Sequence, residues 1–301
     1  MLRRLDPETT KFMTDLADIN RRLSESVRRV TSGRRINTIS DVPDELTNLL
    51  QIRAELKQTE QIRSNLGRVK TEVDSAEQAL QAAVSVMERA AVLGTQAGAG
   101  VIGAGQRDII AEEVENLIEQ MVGLTRTTVE ARFIFSGNSD SQAPFTVDIS
   151  QPDPVSGYQG SAATREVMHP SGTLFPISRN GEEVFDNPDP GKNVFDALTS
   201  LRNALRANDE EAVRDSLSGI QSAATHLNNQ LAYYGSVQNQ VAEATNFALK
   251  QEVRLKTRLA AVEDADLGEA ILTLKEAQYQ QEVALNAKAK VGKSTLFDYL
   301  G

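Results

Sequence analysis

The apolar residues between positions 44 and 96 recur with a helical spacing that no proline interrupts. They step by fours and threes, an average of about 3.5 residues, which predicts a long helix that buries a narrow seam against other helices. The seam residues are Ile62, Leu66, Val69, Val73, Ala76, Leu80, Ala83, Met87 and Ala90. At about 1.5 Å per residue this helix is about 80 Å long, so we expect an elongated rod rather than a compact globule. We expect the seam, including Leu80, to be buried and Gln78 to lie on the far side of the helix.

Similar apolar stripes predict further helices on both sides of the long one. They cover residues 7–31, 106–130, 194–208 and 209–262, and a last helix follows Asp264. The stripe of the first helix consists of Phe12, Leu16, Ile19, Leu23, Val27 and Val30, and that of the last helix of Leu267, Ile271, Leu274 and Leu285. The short links between the predicted helices are typical of antiparallel neighbours.

The pattern changes to that of short strands in the middle of the chain. Seven of the nine prolines lie between residues 138 and 195, which excludes long helices there. The aromatic run 132–137 precedes this segment, and the strand candidates within it are 145–149, 165–169, 173–178 and 182–185. Asn180-Gly181 separates the last two candidates and predicts a tight hairpin turn.

We therefore predict a mainly α protein, an elongated antiparallel helical bundle or coiled-coil rod with one small β-rich insertion domain. The predicted parts are a terminal helical arm at 1–40, the first half of the rod at 41–136, the β-rich insertion at 137–193, the second half of the rod at 194–262 and a second arm at 263–301. Because the insertion leaves and re-enters the helical part at one end, the two arms are expected to lie side by side.

Composition excludes several classes of protein. The net charge of −10 argues against general binding of nucleic acid, and the absence of cysteine excludes disulfides, thiolate metal sites and thiol nucleophiles. The first residues have no apolar run typical of a secretory signal peptide, and no stretch reaches the length of a membrane span. We expect a protein without membrane insertion that stays in the cytoplasm unless it is exported without a cleaved signal.

The candidate chemical motifs are weak. Residues 98–103 match the G-x-G-x-x-G pattern of dinucleotide-binding loops, but that motif requires a preceding strand and here a helix is predicted to precede it. We interpret it as a helix–helix turn. His169 and His226 have no ligand neighbours at metal-binding spacing. We therefore expect no catalytic, cofactor or metal site, and a protein that is not an enzyme.

Three segments resemble conserved motifs of bacterial flagellins. Residues 29–37, followed by Ser40-Asp41, are similar to their R-L-S-S-G-x-R-I-N…D-D motif. Residues 235–240 are similar to G-A-V-Q-N-R in their C-terminal half, and residues 262–266 to the I-E-D-A-D that opens their last helix. These segments occur in the family order and span both helical parts of the chain.

Within this family the chain resembles the branch of hook–filament junction proteins. Residues 132–137 followed by Ala143-Pro144-Phe145 look like the R-Y-I-F-A-G…A-P-F passage of that branch, and residues 181–186 and Leu296-Phe297 also suit it. Filament flagellins usually have Q-F-N-G at the first of these places. A short filament flagellin is the alternative within the family.

The resemblance implies a structural subunit that is exported unfolded and polymerises outside the cell at the hook–filament junction. Its implied partners are copies of itself, the neighbouring hook-associated protein, flagellin, a cytoplasmic export chaperone and the flagellar type III export apparatus. The implied self-association residues are Phe12, Leu16, Ile19, Leu23, Leu267, Ile271, Leu274 and Leu285. The implied inter-helix turn motif consists of Ser32, Gly33, Arg35, Asn37 and Asp41.

Two hypotheses from other classes compete with this interpretation. A cytoplasmic coiled-coil adaptor has the same periodicity but no reason to carry the three flagellin-like segments. An enzyme that uses the glycine loop is the least supported, and a nucleotide-binding assay distinguishes it from the others.

Overall fold

A computed structural model of the protein describes residues 7–37, 45–100 and 102–291. The helices in these ranges are α1 (Pro7–Ser32), α2 (Leu46–Ala97), α3 (Ala104–Thr125), α4 (Gly181–Phe185), α5 (Val194–Arg206), α6 (Glu210–Glu263) and α7 (Leu267–Val291). The strands are β1 (Thr128–Val129), β2 (Arg132–Phe133), β3 (Glu166–Met168) and β4 (Leu174–Pro176). The prediction of a mainly α chain with long antiparallel helices and little β structure is confirmed.

The chain divides into two compact units. The larger unit consists of residues 59–250, and the smaller one combines residues 1–58 with residues 251–301. In the described ranges no helix combines the length and the apolar character that crossing a bilayer requires.

The core of the larger unit is built on the predicted seam of α2. Leu66 and Leu80 have no exposed surface and Val73 is 1% exposed, whereas Gln78 is exposed. All the other predicted seam residues are buried except Val69, which is half-buried. The seam prediction is therefore confirmed, because a 3.5-residue repeat places all these side chains on one face of the helix.

Helices α2 and α6 pack antiparallel within the larger unit. The Gln238 amide donates a hydrogen bond of 3.0 Å to Asp74 near one end of the contact. Gly94 lies at the other end, where an added Cβ would be 2.6 Å from Cδ2 of Leu217. Gly94 thus permits the close approach of the two helices, which a side chain at this position would prevent.

The β structure consists of two small antiparallel hairpins. In the first, Val129 pairs with Arg132 across a two-residue turn whose residues, Glu130 and Ala131, both have positive φ. In the second, Val167 pairs with Phe175. The segment between α3 and α5 is held to the helices by aromatic contacts, with ring centroids 5.3 Å apart for Phe135 and Phe185 and 4.9 Å apart for Phe145 and Phe195.

The predicted hairpin at Asn180-Gly181 is wrong, because this dipeptide begins helix α4. The side chain of Asn180 accepts a hydrogen bond of 2.8 Å from the backbone N–H of Glu183, and its φ of −78° is not the positive value that the hairpin turn requires. Glu182 and Glu183 favour the positive end of the helix dipole. Helix capping therefore outweighs the turn signal here.

The predicted strand at 145–149 is also wrong. Only Val147 pairs there, in an isolated bridge to Val155. Pro152 and Pro154 lack the N–H groups that a regular ladder needs on the returning segment. The run 132–137 forms a strand only at its first two residues and then continues as turns.

Candidate functional site

The predicted assembly arms α1 and α7 pack against each other in the smaller unit and run antiparallel. Near the start of α1, the ammonium group of Lys288 lies 5.3 Å from the ring centroid of Phe12. Further along, the Gln281 amide donates a hydrogen bond of 2.8 Å to the side chain of Asn20. The residue numbers decrease along α7 as they increase along α1, which is the arrangement expected of two side-by-side arms.

The two helices contact through seams with the same spacing of fours and threes. On α1 the seam residues are Phe12, Leu16, Ile19, Leu23, Ser26 and Val30, and on α7 they are Ala270, Leu274, Ala277, Gln281, Ala284 and Lys288. Alternating steps of four and three are typical of a coiled-coil pair. The large side chains of α1 thus face a row of mostly small or polar side chains on α7.

The predicted self-association residues fall into two groups. Phe12, Leu16, Ile19, Leu23 and Leu274 lie in the seam and are half-buried. Ile271 and Leu285 lie outside it and are 43% and 50% exposed, and Leu267, one step before the first seam residue of α7, is 49% exposed. The structure therefore brings the first group together and leaves the second group without cover within the described part of the subunit.

Sequence reasoning missed further exposed apolar residues on the same two helices. They are Met13 on α1 and Leu272, Tyr279 and Val283 on α7. Val27, which the sequence predicts as part of the α1 stripe, is also exposed, at 42%. The spacing of Tyr279 and Val283, one turn apart, was a signal that could have found them. Apolar side chains on several sides of a helix indicate that other helices or subunits pack on those sides. An exposed apolar side chain contributes to binding only when another molecule covers it.

The predicted turn motif ends helix α1. Gly33 has a φ of +69°, a left-handed conformation that favours glycine, and its N–H donates to the carbonyl of Arg29 at 2.9 Å. The Ser32 hydroxyl donates to the carbonyl of Arg28 and accepts from the N–H of Arg34. The Asn37 amide donates to the carbonyl of Arg34 at 2.9 Å. Asp41, the last predicted member of the motif, lies outside the described residues.

The turn motif is bound to the corner between α6 and α7. The N–H of Arg35 donates to the carbonyl of Glu263 at 2.7 Å, and the N–H of Ala265 donates to the carbonyl of Gly33 at 2.9 Å. The guanidinium group of Arg35 also donates to the carbonyl of Val262 at 2.9 Å. We call this set of contacts between residues 33–35 and 262–265 the clasp. It brings together two of the three segments on which the resemblance to flagellins rests.

The side chain of Glu263 lies at the centre of the clasp. It is only 5% exposed, and its carboxylate accepts ion pairs of 2.9 Å from both Arg34 and Arg53. A buried carboxylate is stable only with such partners. Arg53 and the role of Glu263 were not predicted, because the pairing joins residues more than 200 positions apart and no local spacing indicates it.

The glycine-rich loop at 98–103 follows the helix α2, as predicted, and connects it to α3. The carbonyl of Gly98 accepts a hydrogen bond of 3.0 Å from Nε of Arg214, so an arginine side chain completes the end of α2. This is the geometry of a helix–helix turn. It is not the strand-to-helix turn that binds a dinucleotide.

The two histidines have structural surroundings. His226 is buried, and its Nε2 lies 3.1 Å from the carbonyl oxygen of Glu183. Burial lowers the pKa of its imidazole. The ring of His169 packs against Phe247, with centroids 5.2 Å apart. Across residues 7–37, 45–100 and 102–291, no three His, Asp or Glu side chains are grouped as metal ligands would be.

Two protein-family models match the chain. The bacterial flagellin N-terminal helical region matches residues 8–140, and the bacterial flagellin C-terminal helical region matches residues 217–300. The chain belongs to the bacterial flagellin family. This is a family of structural flagellar proteins rather than of enzymes. The two models cover α1–α3 and most of α6 and α7, and the unmatched residues 141–216 contain the second hairpin, α4 and α5.

Solved structures share the fold at low sequence identity. A flagellar hook-associated protein from Vibrio parahaemolyticus is 18% identical, with a TM-score of 0.66 over 74% of this chain and 100% of that chain. FlgL from Bacillus cereus is 23% identical, with a TM-score of 0.56 over 71% and 100%. The flagellar junction protein FlgL from Legionella pneumophila is 14% identical, with a TM-score of 0.55 over 65% and 99%. No match is found among curated proteins.

Proposed function

We propose that the protein is a structural subunit of the bacterial flagellum that joins the hook, through the adjacent hook-associated protein, to the flagellin filament. Membership of the flagellin family and a fold shared over the full length of hook-associated and junction proteins support this role. The observation that carries it is the α1–α7 pair, whose apolar residues remain exposed on the subunit. Such a surface requires neighbours to cover it, as a subunit of a polymer has.

The proposal includes the partners and the location that the resemblance implies. The subunit contacts copies of itself, the neighbouring hook-associated protein and flagellin, and it reaches the outside of the cell through the flagellar type III export apparatus with the help of a cytoplasmic chaperone. It has no catalytic function in this proposal, which fits the structural role of its family.

The lateral surface of α7 supports assembly more directly than the seam does. The seam residues of α1 already contact α7 in the subunit. Ile271 and Leu285, in contrast, remain 43% and 50% exposed among the described residues. Full burial of such a side chain contributes about 1.5–3 kcal/mol, so covering the exposed half of one contributes about 1 kcal/mol. Assembly is therefore the step in which these residues contribute.

Deletion of the gene tests the role. Without a junction subunit the filament has nothing to build on, so we expect cells that carry hooks but no filaments and that release flagellin into the medium. Complementation with the wild-type gene restores filaments. Complementation with an Ile271→Glu variant should fail, whereas Asn286→Glu, an equal charge change at another exposed position of α7, should succeed. Normal filaments on the deletion strain would contradict the proposal.

A further inference from the structure

We propose that a groove between α5 and the first part of α6, which we call the acidic groove, binds a lysine-rich segment of a partner protein. The groove is a hollow of about 990 Å³ whose lining residues lie between positions 152 and 219. All of them belong to the larger unit, whereas α1 and α7 belong to the smaller one. Most of them also fall in the segment 141–216 that the flagellin models leave unmatched.

The acidic groove is formed by a helical hairpin and one loop. Helix α6 turns back along α5, so that an added Cβ at Gly219 would be 3.9 Å from Cβ of Ala197. The loop at Pro152 is held beside the hairpin because its carbonyl accepts a hydrogen bond of 3.2 Å from the amide of Asn203. From Ala197 to Ala207 the groove follows about ten residues of helix, or about 15 Å. An extended peptide of about five residues spans this length.

The charge of the groove is negative. Its lining contains the carboxylates of Asp153, Asp196, Asp209 and Asp215 and, among the described residues, no Lys, Arg or His. Burial, together with the nearby carboxylates of Asp186 and Asp153, raises the pKa of Asp196. A cation that enters the groove offsets this repulsion between like charges.

The basic residues that are near the groove in sequence pair with other carboxylates. Arg206 lies 3.0 Å from Glu115, and Arg214 pairs with Glu210 one turn earlier on α6. Lys192 lies 2.9 Å from an aspartate of its own loop. The chain thus keeps these cations out of the lining, and the charge there is open to a cation from another molecule.

A buried hydroxyl in the lining also indicates a missing partner. Thr199 is 9% exposed, and its Oγ1 has no hydrogen-bond partner within the described part of the chain. A threonine in a helix commonly donates this hydroxyl to a carbonyl one turn earlier, and buried polar atoms are rarely left without a partner. An ammonium group in the groove supplies a donor that Oγ1 of Thr199 can accept.

The remaining lining favours an ammonium group on an alkyl chain. Small apolar side chains separate the carboxylates, namely those of Ala197, Ala204, Ala207 and Ala212. The stem of a lysine packs on such a surface while its ammonium group reaches a carboxylate. A bare metal ion does not fit, because no three His, Asp or Glu side chains in the described ranges are grouped as ligands. The volume is at the upper end of the range for small-molecule sites, which favours a peptide over a single polyamine.

Fluorescence anisotropy of a labelled pentalysine peptide with the full-length chain tests the proposal. Asp196→Asn combined with Asp215→Asn should weaken binding about fivefold or more, because it removes two carboxylates of the groove. Asp209 stays intact, since its carboxylate accepts a hydrogen bond from the N–H of Ala212 and caps α6. Glu88→Gln combined with Glu119→Gln is the control. It makes the same change in net charge at exposed positions of α2 and α3 and should alter binding less than twofold.

Thr199→Val tests the site without a change in charge. It replaces the unpaired hydroxyl by a methyl group, so peptide binding should weaken about threefold while the stability to urea stays equal or rises. Equal losses in the two double variants would show that the peptide responds to net charge alone and would overturn the proposal. So would wild-type affinity in Thr199→Val, no binding by the wild type, or displacement of the peptide by spermidine at a lower concentration than by unlabelled pentalysine. Circular dichroism confirms that each variant is folded, and the assay needs no flagellum, so its result is independent of the deletion strain.

Discussion

The backbone N–H of Arg35 donates a hydrogen bond of 2.7 Å to the carbonyl of Glu263, 228 positions further along the chain. This contact joins the end of the first helix to the corner before the last one, and it lies beside the buried Glu263 carboxylate that Arg34 and Arg53 both approach to 2.9 Å. The clasp thus determines where α7 starts relative to α1. Which residues of α1 and α7 face each other, and which remain exposed, therefore depends on the position at which α7 begins.

Removing the carboxylate of Glu263 should weaken the clasp. Glu263→Ala leaves Arg34 and Arg53 without their shared partner, although both remain about half exposed and can be hydrated. We expect the free energy of unfolding to fall by about 1–3 kcal/mol, measured by urea denaturation of the full chain. Glu282→Ala, at an exposed position of α7, is the control and should change it by less than about 0.5 kcal/mol. Equal stability of the two variants would show that the clasp does not hold the unit together.

The seam of α2 should dominate the stability of the larger unit. Leu80 has no exposed surface, and Leu80→Ala should lower the free energy of unfolding by about 2–5 kcal/mol because it leaves a cavity in the core. Gln78→Ala, on the exposed face of the same helix, should change it little. Thermal melting of both variants measures the difference. Indistinguishable melting temperatures would place the core on another face of α2.

Two glycines of α2 should respond to alanine in opposite directions. An added Cβ at Gly67 has nothing within 4 Å, so Gly67→Ala should stabilise the chain by about 0.5–1 kcal/mol through helix propensity. At Gly94 the same change meets Leu217 at 2.6 Å and should destabilise it. The unfolding midpoints in urea report both effects. A stabilising Gly94→Ala would contradict the close contact between α2 and α6.

The buried His226 should make stability depend on pH. Burial disfavours the charged imidazole, so the pKa of His226 is lower in the folded chain than the value of about 6.5 in the unfolded chain. As the pH falls below about 6.5, the unfolded chain binds a proton that the folded chain does not, and the folded state loses stability until His226 itself becomes protonated.

Comparison with His226→Gln isolates this contribution. Urea unfolding at pH 7.5 and 5.5 should show a larger loss of stability for the wild type than for the variant. The comparison with the variant is needed because protonation of Glu72 changes the stability of the folded chain in the opposite direction. Burial raises the pKa of the Glu72 carboxyl, although Arg165 lies 2.7 Å from it. Lowering the pH therefore protonates this carboxyl and stabilises the folded state. The same loss in both chains would mean that His226 is not a source of the pH dependence.

The long helices could be predicted from sequence because their signal is periodic and repeated many times. Each seam residue from Ile62 to Ala90 adds to the same 3.5-residue pattern, so one misjudged position does not change the prediction of the helix. The short elements could not be predicted with the same success. At Asn180 two local signals compete, and the hydrogen bond to Glu183 decides between a turn and a helix cap.

The residues of the candidate site also divide into those that could be predicted from the sequence and those that could not. The seam residues Leu16 and Leu23 were found from periodicity, and the turn at Gly33 was found from a family motif. Arg53 was missed because its partner Glu263 is distant in sequence and becomes a neighbour only in the folded unit. Tyr279 was missed, although Val283 lies one turn after it, because both residues lie outside the apolar stripe from which the helix was predicted.

Locating the protein on intact flagella tests the central claim most directly. A gold-labelled antibody against the folded subunit, viewed by electron microscopy, should mark one narrow band where the hook meets the filament. Label along the whole filament would show a filament flagellin instead of a junction subunit. Label confined to the cell body would contradict the flagellar role altogether.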